Sequence, residues 1–312
     1  MKKFVISIVT LTIVFGLVAC GSVSKDKVKE ETKEPTPQLT IGVMGSVDAV
    51  PLAIAQEKGI FDSNGVKVKV EIFKAAKDRD AALEAGLLDG VICDEIAVAI
   101  YQNAGIDMRI AGITDGMFTL VAGKESGINS VADFAGKKVA ISEDTVIEYT
   151  LDKLAKEAGI AGQIEKVAVP PMPARMEMLN NGQVDGALLP SPFSDTAILA
   201  GAKEIARVDS KGQYISVIAF SEKALKDKAV SVEQFFKAYD QSAEYINTTP
   251  VSEYEDVIMN FVGYPEAMRG NIILPVFRSN SLPPKSDVEE VFQWAKDKGI
   301  ITKEINVDSV FK

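Results

Sequence analysis

Six carboxylates, Asp48, Asp94, Glu95, Asp115, Glu143 and Asp144, fall just after strand-like runs of this chain, with small polar residues interleaved among them. Gly45 and Ser46 follow LTIGVM (Leu39 to Met44), Ser142 ends KKVAIS with Thr145 close behind, and Pro190 and Ser191 follow the apolar run that begins at Val184. Such a set suits recognition. Bare backbone N–H groups and hydroxyls hold an anionic or polar head, carboxylates hold an amine, and Tyr149 or Phe193 offers a face on which a flat ring stacks. The same acids also serve as ordinary helix caps, and the same aromatics as core. Histidine is absent, and the two cysteines are Cys20 and Cys93. The commonest general base and the commonest transition-metal ligand are therefore missing together. Cys93 lies inside an apolar strand, where a thiol behaves as a small hydrophobe. Few routes to nucleophilic or zinc chemistry remain, and we expect no enzyme, no catalytic residue, no metal and no cofactor.

The elements that position these residues come from a repeat. ALEAGLLDGVICD starts at Ala82 and MLNNGQVDGALLP at Met178, 96 positions later. Each reads as a helix end, a glycine (Gly86, Gly182), an Asp-Gly turn and a strand buried on both faces. Upstream, LTIGVM matches KKVAIS, and VKVKVEIF (Val66 to Phe73) matches QIEKVAV (Gln163 to Val169). Each half is then β-α-β-α-β, which implies parallel pairing with right-handed crossovers. Asp48 stands as the N-cap of a helix running to Gly59. Ser231-Val232-Glu233-Gln234, Ser252-Glu253-Tyr254-Glu255 and Ser286-Asp287-Val288-Glu289 are capping-box candidates for a tail that reads as helical after Ser221. Trp294 fits core packing in the last of these helices.

At 312 residues, 47% hydrophobic and 25% charged, the chain has ample core for two lobes. The net charge of −10, with no basic run beyond the first three residues, excludes nucleic acid as a partner. Lys2 and Lys3 precede an apolar stretch from Phe4 to Val18, shorter than the ~20 residues that span a bilayer. Residues 1–19 read as a signal peptide, and 20–38 as a Ser-, Lys-, Glu- and Pro-rich disordered tether.

Leu17-Val18-Ala19-Cys20-Gly21 resembles the lipobox of bacterial lipoproteins, which implies that Cys20 is the lipidated first residue of the mature protein. The order KGIFDSNGVKVKVEIF, ALEAGLLDGVICD, GINSVADFAGKKVAIS, ARMEMLNNGQVDGALLPSPF, LAGAKEI resembles the substrate-binding proteins of ABC importers, in the nitrate, sulfonate, taurine and thiamine-pyrimidine branch. That resemblance implies an α/β type II periplasmic binding protein with two lobes, each a mostly parallel sheet flanked by helices. Lobe 1 would comprise 39–113 and 217–312, lobe 2 would comprise 118–210, and the crossings would lie near 114–117 and 208–216. It also implies an extracytoplasmic, lipid-anchored monomer, at the outer face of the cell membrane or in the periplasm, that hands a small polar molecule to ABC permease subunits.

In open α/β sheets ligands gather at the carboxyl ends of the strands, which selects Gly45, Ser46, Asp94, Asp115, Ser142, Glu143, Thr145, Pro190 and Ser191, with Tyr149 and Phe193 beside them. A carboxylate about 4 Å from an anionic ligand costs roughly 1 to 4 kcal/mol. The acids therefore favour an amine-bearing, aminopyrimidine-like ligand. A sulfonate or nitrate ligand is the alternative; a ligand-presenting sensor, or a dehydratase-like enzyme on the same fold, is a further one. The lipobox makes a direct prediction: intact mass of the mature protein shows acyl chains on Cys20 and Cys20→Ser releases the protein from membranes, whereas an unmodified mature chain contradicts it.

Overall fold

In the computed structural model the described residues are 36–209 and 216–312, so the signal peptide, Cys20, most of the tether and the centre of the second crossing lie outside them. The first half contains β1 (Leu39–Met44), α1 (Val50–Glu57), α2 (Ile60–Ser63), β2 (Val68–Phe73), α3 (Ala76–Glu84), β3 (Gly90–Cys93), α4 (Glu95–Ala104) and β4 (Met108–Thr114). The second contains β5 (Met117–Ala122), β6 (Lys138–Ile141), α5 (Val146–Glu157), β7 (Glu165–Ala168), α6 (Met172–Asn180), β8 (Gly186–Pro190), α7 (Phe193–Leu199) and β9 (Lys203–Asp209). There follow β10 (Ser216–Ser221), α8 (Glu222–Asp227), α9 (Ala229–Thr248), α10 (Glu255–Ile258) and α11 (Lys285–Asp297).

Two five-stranded sheets result, ordered β2-β1-β3-β10-β4 and β7-β6-β8-β5-β9. The pairs of β1 with β2 and β3, and of β6 with β7 and β8, are parallel. In each sheet the fourth strand runs antiparallel to both neighbours, and it is the strand that arrives from the other half. β4, at the edge of the first sheet, turns through Asp115 and Gly116 into β5 of the second; β9, at the edge of the second, leads on to β10 of the first. The central parallel strands β3 and β8 are buried along their whole length, as helix-covered sheets require.

The Asp-Gly turns of the repeat tie each half together. Thr40 N donates to Asp89 Oδ2 and Lys138 N to Asp185 Oδ2, both at 2.8 Å, so each aspartate bonds the backbone of the neighbouring first strand. The glycine after it sits where no side chain fits. A Cβ at Gly90 would lie 2.8 Å from the Ala219 carbonyl oxygen, and one at Gly186 would lie 2.4 Å from the Phe134 ring.

Local expectations fail in three places. Asp48 lies inside a short 3-10 turn, Val47–Ala49, and does not cap α1, which begins at Val50 after Ala49. None of the three proposed capping boxes forms: Ser231 and Ser286 lie within α9 and α11, and Ser252 lies in a 3-10 turn. The Ser231 hydroxyl instead donates to the Pro37 carbonyl. A capping box does form at Ser130 with Asp133. The tail is not helical throughout, since residues 271–279 have no regular structure. Arg278 in that stretch is pinned by Asp115, through Nε at 2.8 Å and the backbone N at 2.6 Å.

Gly90→Ala and Gly186→Ala should each lower the free energy of unfolding by about 1–3 kcal/mol, the usual cost of overpacking. Urea denaturation checks this; unchanged midpoints would mean that the turns have room that this packing denies.

Candidate functional site

Between the two sheets lies a cavity of about 80 Å³, space for a small molecule's head group and a few atoms more. Its apolar wall comes from Met44, Ile92, Phe118, Ile147 and Met172, and its polar wall from Ser46, Asp94, Ser142, Thr145 and Ser216. Two buried arginines, Arg79 and Arg175, complete it, 3% and 1% exposed.

The arginines are a repeat pair, 96 positions apart like the turns that follow them. Arg79, on α3, donates Nη1–H to the Ile92 carbonyl at 2.8 Å; Arg175, on α6, donates Nη1–H to the Leu188 carbonyl at 2.9 Å. Each guanidinium thus reaches over the carboxyl half of its own central strand. Their electrostatics then diverge. Arg79 pairs with Asp80 at 2.7 Å, and Tyr101, which donates to Asp80, lies within 3.4 Å of the guanidinium. Burial alone would weaken its charge, but Tyr101 and Asp80 more than offset that and hold its pKa well above the ordinary value.

Arg175 has no carboxylate within ion-pair distance among the described residues. Its other hydrogen bonds go to the Val169 carbonyl, from Nε at 3.1 Å, and the Pro170 carbonyl, from Nη2 at 3.1 Å. Burial pulls it down to about 10, which still leaves it charged at neutral pH. A guanidinium carries five N–H donors, so about two remain for whatever enters the cavity.

Asp94 is the acid that reaches the centre. Its Oδ1 accepts from Ala97 N at 2.8 Å, capping α4, and its Oδ2 accepts across the cleft from Val146 N of α5 at 3.3 Å. Burial raises its pKa against these bonds. Asp48, bonded by Ser46 and Ser216, is raised by burial in the same way.

Of the residues singled out from sequence, the fold brings Ser46, Asp94, Ser142, Thr145 and Pro190 to the cavity wall. It places Gly45 beside Val262 and Ile72, outside the lining. Asp115 is buried in its ion pair with Arg278, at 2.6 Å, and Glu143 and Asp144 are exposed. Ser191 meets the first lobe through its carbonyl, which accepts from Val47 N at 3.2 Å, while its hydroxyl faces Ser194. Phe193 packs on the second sheet's core. Tyr149 faces α11, where its hydroxyl donates to Glu290 at 3.0 Å and its ring meets Trp294 edge-on. Cys93 is buried and lines the cavity as well. Arg79 and Arg175 were overlooked in sequence, although the repeat itself sets them in register.

A second belt holds the lobes together outside the cavity. Glu148 of α5 receives Lys298, just past α11, at 2.6 Å and Lys166 at 2.8 Å. Burial would raise its pKa, yet the bonds from Lys166, Lys298 and Asp144 N overcome this and hold it at about 2. A carboxylate depressed from 4.5 to about 2 gives stability that is present above pH 4.5 and lost as pH falls toward 2. Glu148→Gln should therefore flatten the acid limb of the stability profile between those values, as thermal melts would show; an unchanged limb contradicts the pairing.

A family profile described as NMT1/THI5 like matches residues 46–253. A Bacillus subtilis protein named for the binding of aliphatic sulfonates is 32% identical over 150 residues, 46% of this chain and 43% of that protein, so the match spans less than half of that relative. The alkanesulfonate-binding protein of Xanthomonas axonopodis pv. citri, solved bound to MOPS, superposes with a TM-score of 0.74 at 20% identity over 89% of this chain and 99% of its own. The periplasmic nitrate-binding protein of Synechocystis PCC 6803 superposes with a TM-score of 0.73 at 12% identity over 89% and 86%. Both share the periplasmic binding protein fold with this chain.

Proposed function

The chain belongs to the NMT1/THI5-like family, and from that premise and the charge of the cavity we propose that it captures a small organic anion, a sulfonate, for an ABC importer. The observation that carries this reading is Arg175. A buried guanidinium bonded only to carbonyls is an unneutralised charge, and an anion that reaches it gains charge-assisted, geometrically matched hydrogen bonds. Ser142 and Thr145 supply polar groups beside it, and Met44, Phe118 and Met172 supply an apolar wall for a short alkyl tail. The similarity to proteins named for sulfonate and nitrate binding supports the same class.

Capture would be followed by release to permease subunits at the membrane, where acylation of Cys20 would keep the protein on the extracytoplasmic side. No reaction is assigned to the cavity. Asp48 and Asp94 on its wall favour a second reading, in which the guest carries an amine, as an aminopyrimidine does.

Calorimetry with ethanesulfonate, propanesulfonate, nitrate and an aminopyrimidine separates these readings. Tight sulfonate binding that falls at least about 30-fold in Arg175→Gln, the lower end of losses for a broken buried charge contact, is the expected result. Tight binding of the aminopyrimidine alone, unchanged in Arg175→Gln, contradicts it.

A further inference from the structure

Glu95, the first residue of α4, is 2% exposed, and neither of its carboxylate oxygens has a hydrogen-bond partner among the described residues. It stands where the lobes meet. Its neighbour Asp94 takes Val146 N from the second lobe, and one apolar cluster joins Ile96 and Val98 of α4, Ile147 and Tyr149 of α5, and Val288 and Val291 of α11. The groups within electrostatic reach are Asp94 at the head of its own helix, Asp287 and Glu290 on α11, Tyr149 on α5 and Cys93 at the end of β3. The first three are acids, the others a phenol and a thiol; Lys153 on α5 reaches Glu290 only at 4.0 Å.

An ionised carboxylate sealed in such a place, with no donor and three like charges, costs several kcal/mol, so the group holds its proton instead. Burial first, and then those acids, push Glu95 up to about 9 from an ordinary 4.5. Separating the lobes would draw α5 away from α4 and α11 and let water reach the carboxyl, which then ionises at neutral pH.

We propose that Glu95 couples capture to protonation: the cleft shuts only once the carboxyl has taken a proton from solvent, so each binding event takes up one proton. This rests on reading the cavity as a closing anion site, and it adds a regulator that the anion chemistry does not require. Affinity should rise as pH falls through the window in which the open form is ionised and the closed form is not.

The test is propanesulfonate affinity by calorimetry between pH 6 and pH 8, a range over which the sulfonate itself does not titrate. The dissociation constant of the wild type should rise about tenfold per pH unit, the slope for one proton, and protons taken up per binding event, read from buffers of different ionisation heat, should approach one. Glu95→Gln should remove that slope, and Glu95→Met, which replaces the acid with an apolar chain, should do the same. A wild-type affinity that does not change with pH, or a slope that survives both variants, overturns the proposal and leaves sulfonate capture standing. If no sulfonate binds at any pH, the anion reading fails instead. The coupling is then decided by small-angle scattering of the ligand-free chain, whose radius of gyration must contract as pH falls from 7 to 4, through the ordinary value of 4.5, in the wild type and not in Glu95→Gln.

Discussion

A guanidinium taken out of water must find its charge compensation somewhere, and Arg175 finds only part of it. Carbonyls of Val169, Pro170 and Leu188 each accept one of its N–H groups. Hydrogen bonds to a charged group contribute about 1.5–3 kcal/mol each, against a desolvation penalty of several kcal/mol for the ion. Carbonyl dipoles lessen that cost without cancelling the charge. The remaining field points into a small, largely apolar chamber, where a low dielectric makes it strong. The rest of the cavity follows from that constraint: hydroxyls that accept or donate, and a tail wall of Met and Phe.

The duplicated architecture explains why the two lobes do not contribute equally. Arg79 and Arg175 occupy the same place in two copies of one β-α-β-α-β unit, and each bonds the carbonyl at the same distance along the chain. In the first copy Asp80 neutralises the arginine; in the second, Met176 follows Arg175 and offers no such partner. One residue thus turns one copy of the guanidinium into a structural clamp and leaves the other open to a guest. The lobes are also joined unevenly, by backbone and Asp94 contacts near the cavity and by Glu148, Lys166 and Lys298 at its outer edge.

The fold was legible because its signals are local and doubled. Buried strands such as GVIC and GALLP, and helix ends closed by Gly86 and Gly182 at φ 72° and 67°, read the same way twice. The repeat even marked the sites of close packing at Gly90 and Gly186. The site was legible only in part. Strand-end logic led to Ser46, Asp94, Ser142, Thr145 and Pro190, which line the cavity, since backbone topology alone places those loops. It could not tell that Asp115 is occupied by Arg278, a residue 163 positions away, or that Glu143 points to solvent. Arginines on helices α3 and α6 escaped because long side chains reach a cleft from elements whose backbones lie outside it. The inferred preference for an amine-bearing guest weighed Asp115, Glu143 and Asp144, which stand outside the cavity lining, and left Arg175 out of account.

A crystal structure of the chain with 3-bromopropanesulfonate, located by the anomalous signal of bromine, tests the central claim most directly. The account predicts the sulfonate oxygens about 2.8 Å from the Arg175 guanidinium nitrogens, with the bromine end against Met44, Phe118 or Met172. Bromine found outside the cavity, or a sulfonate lodged there without touching Arg175, would contradict it.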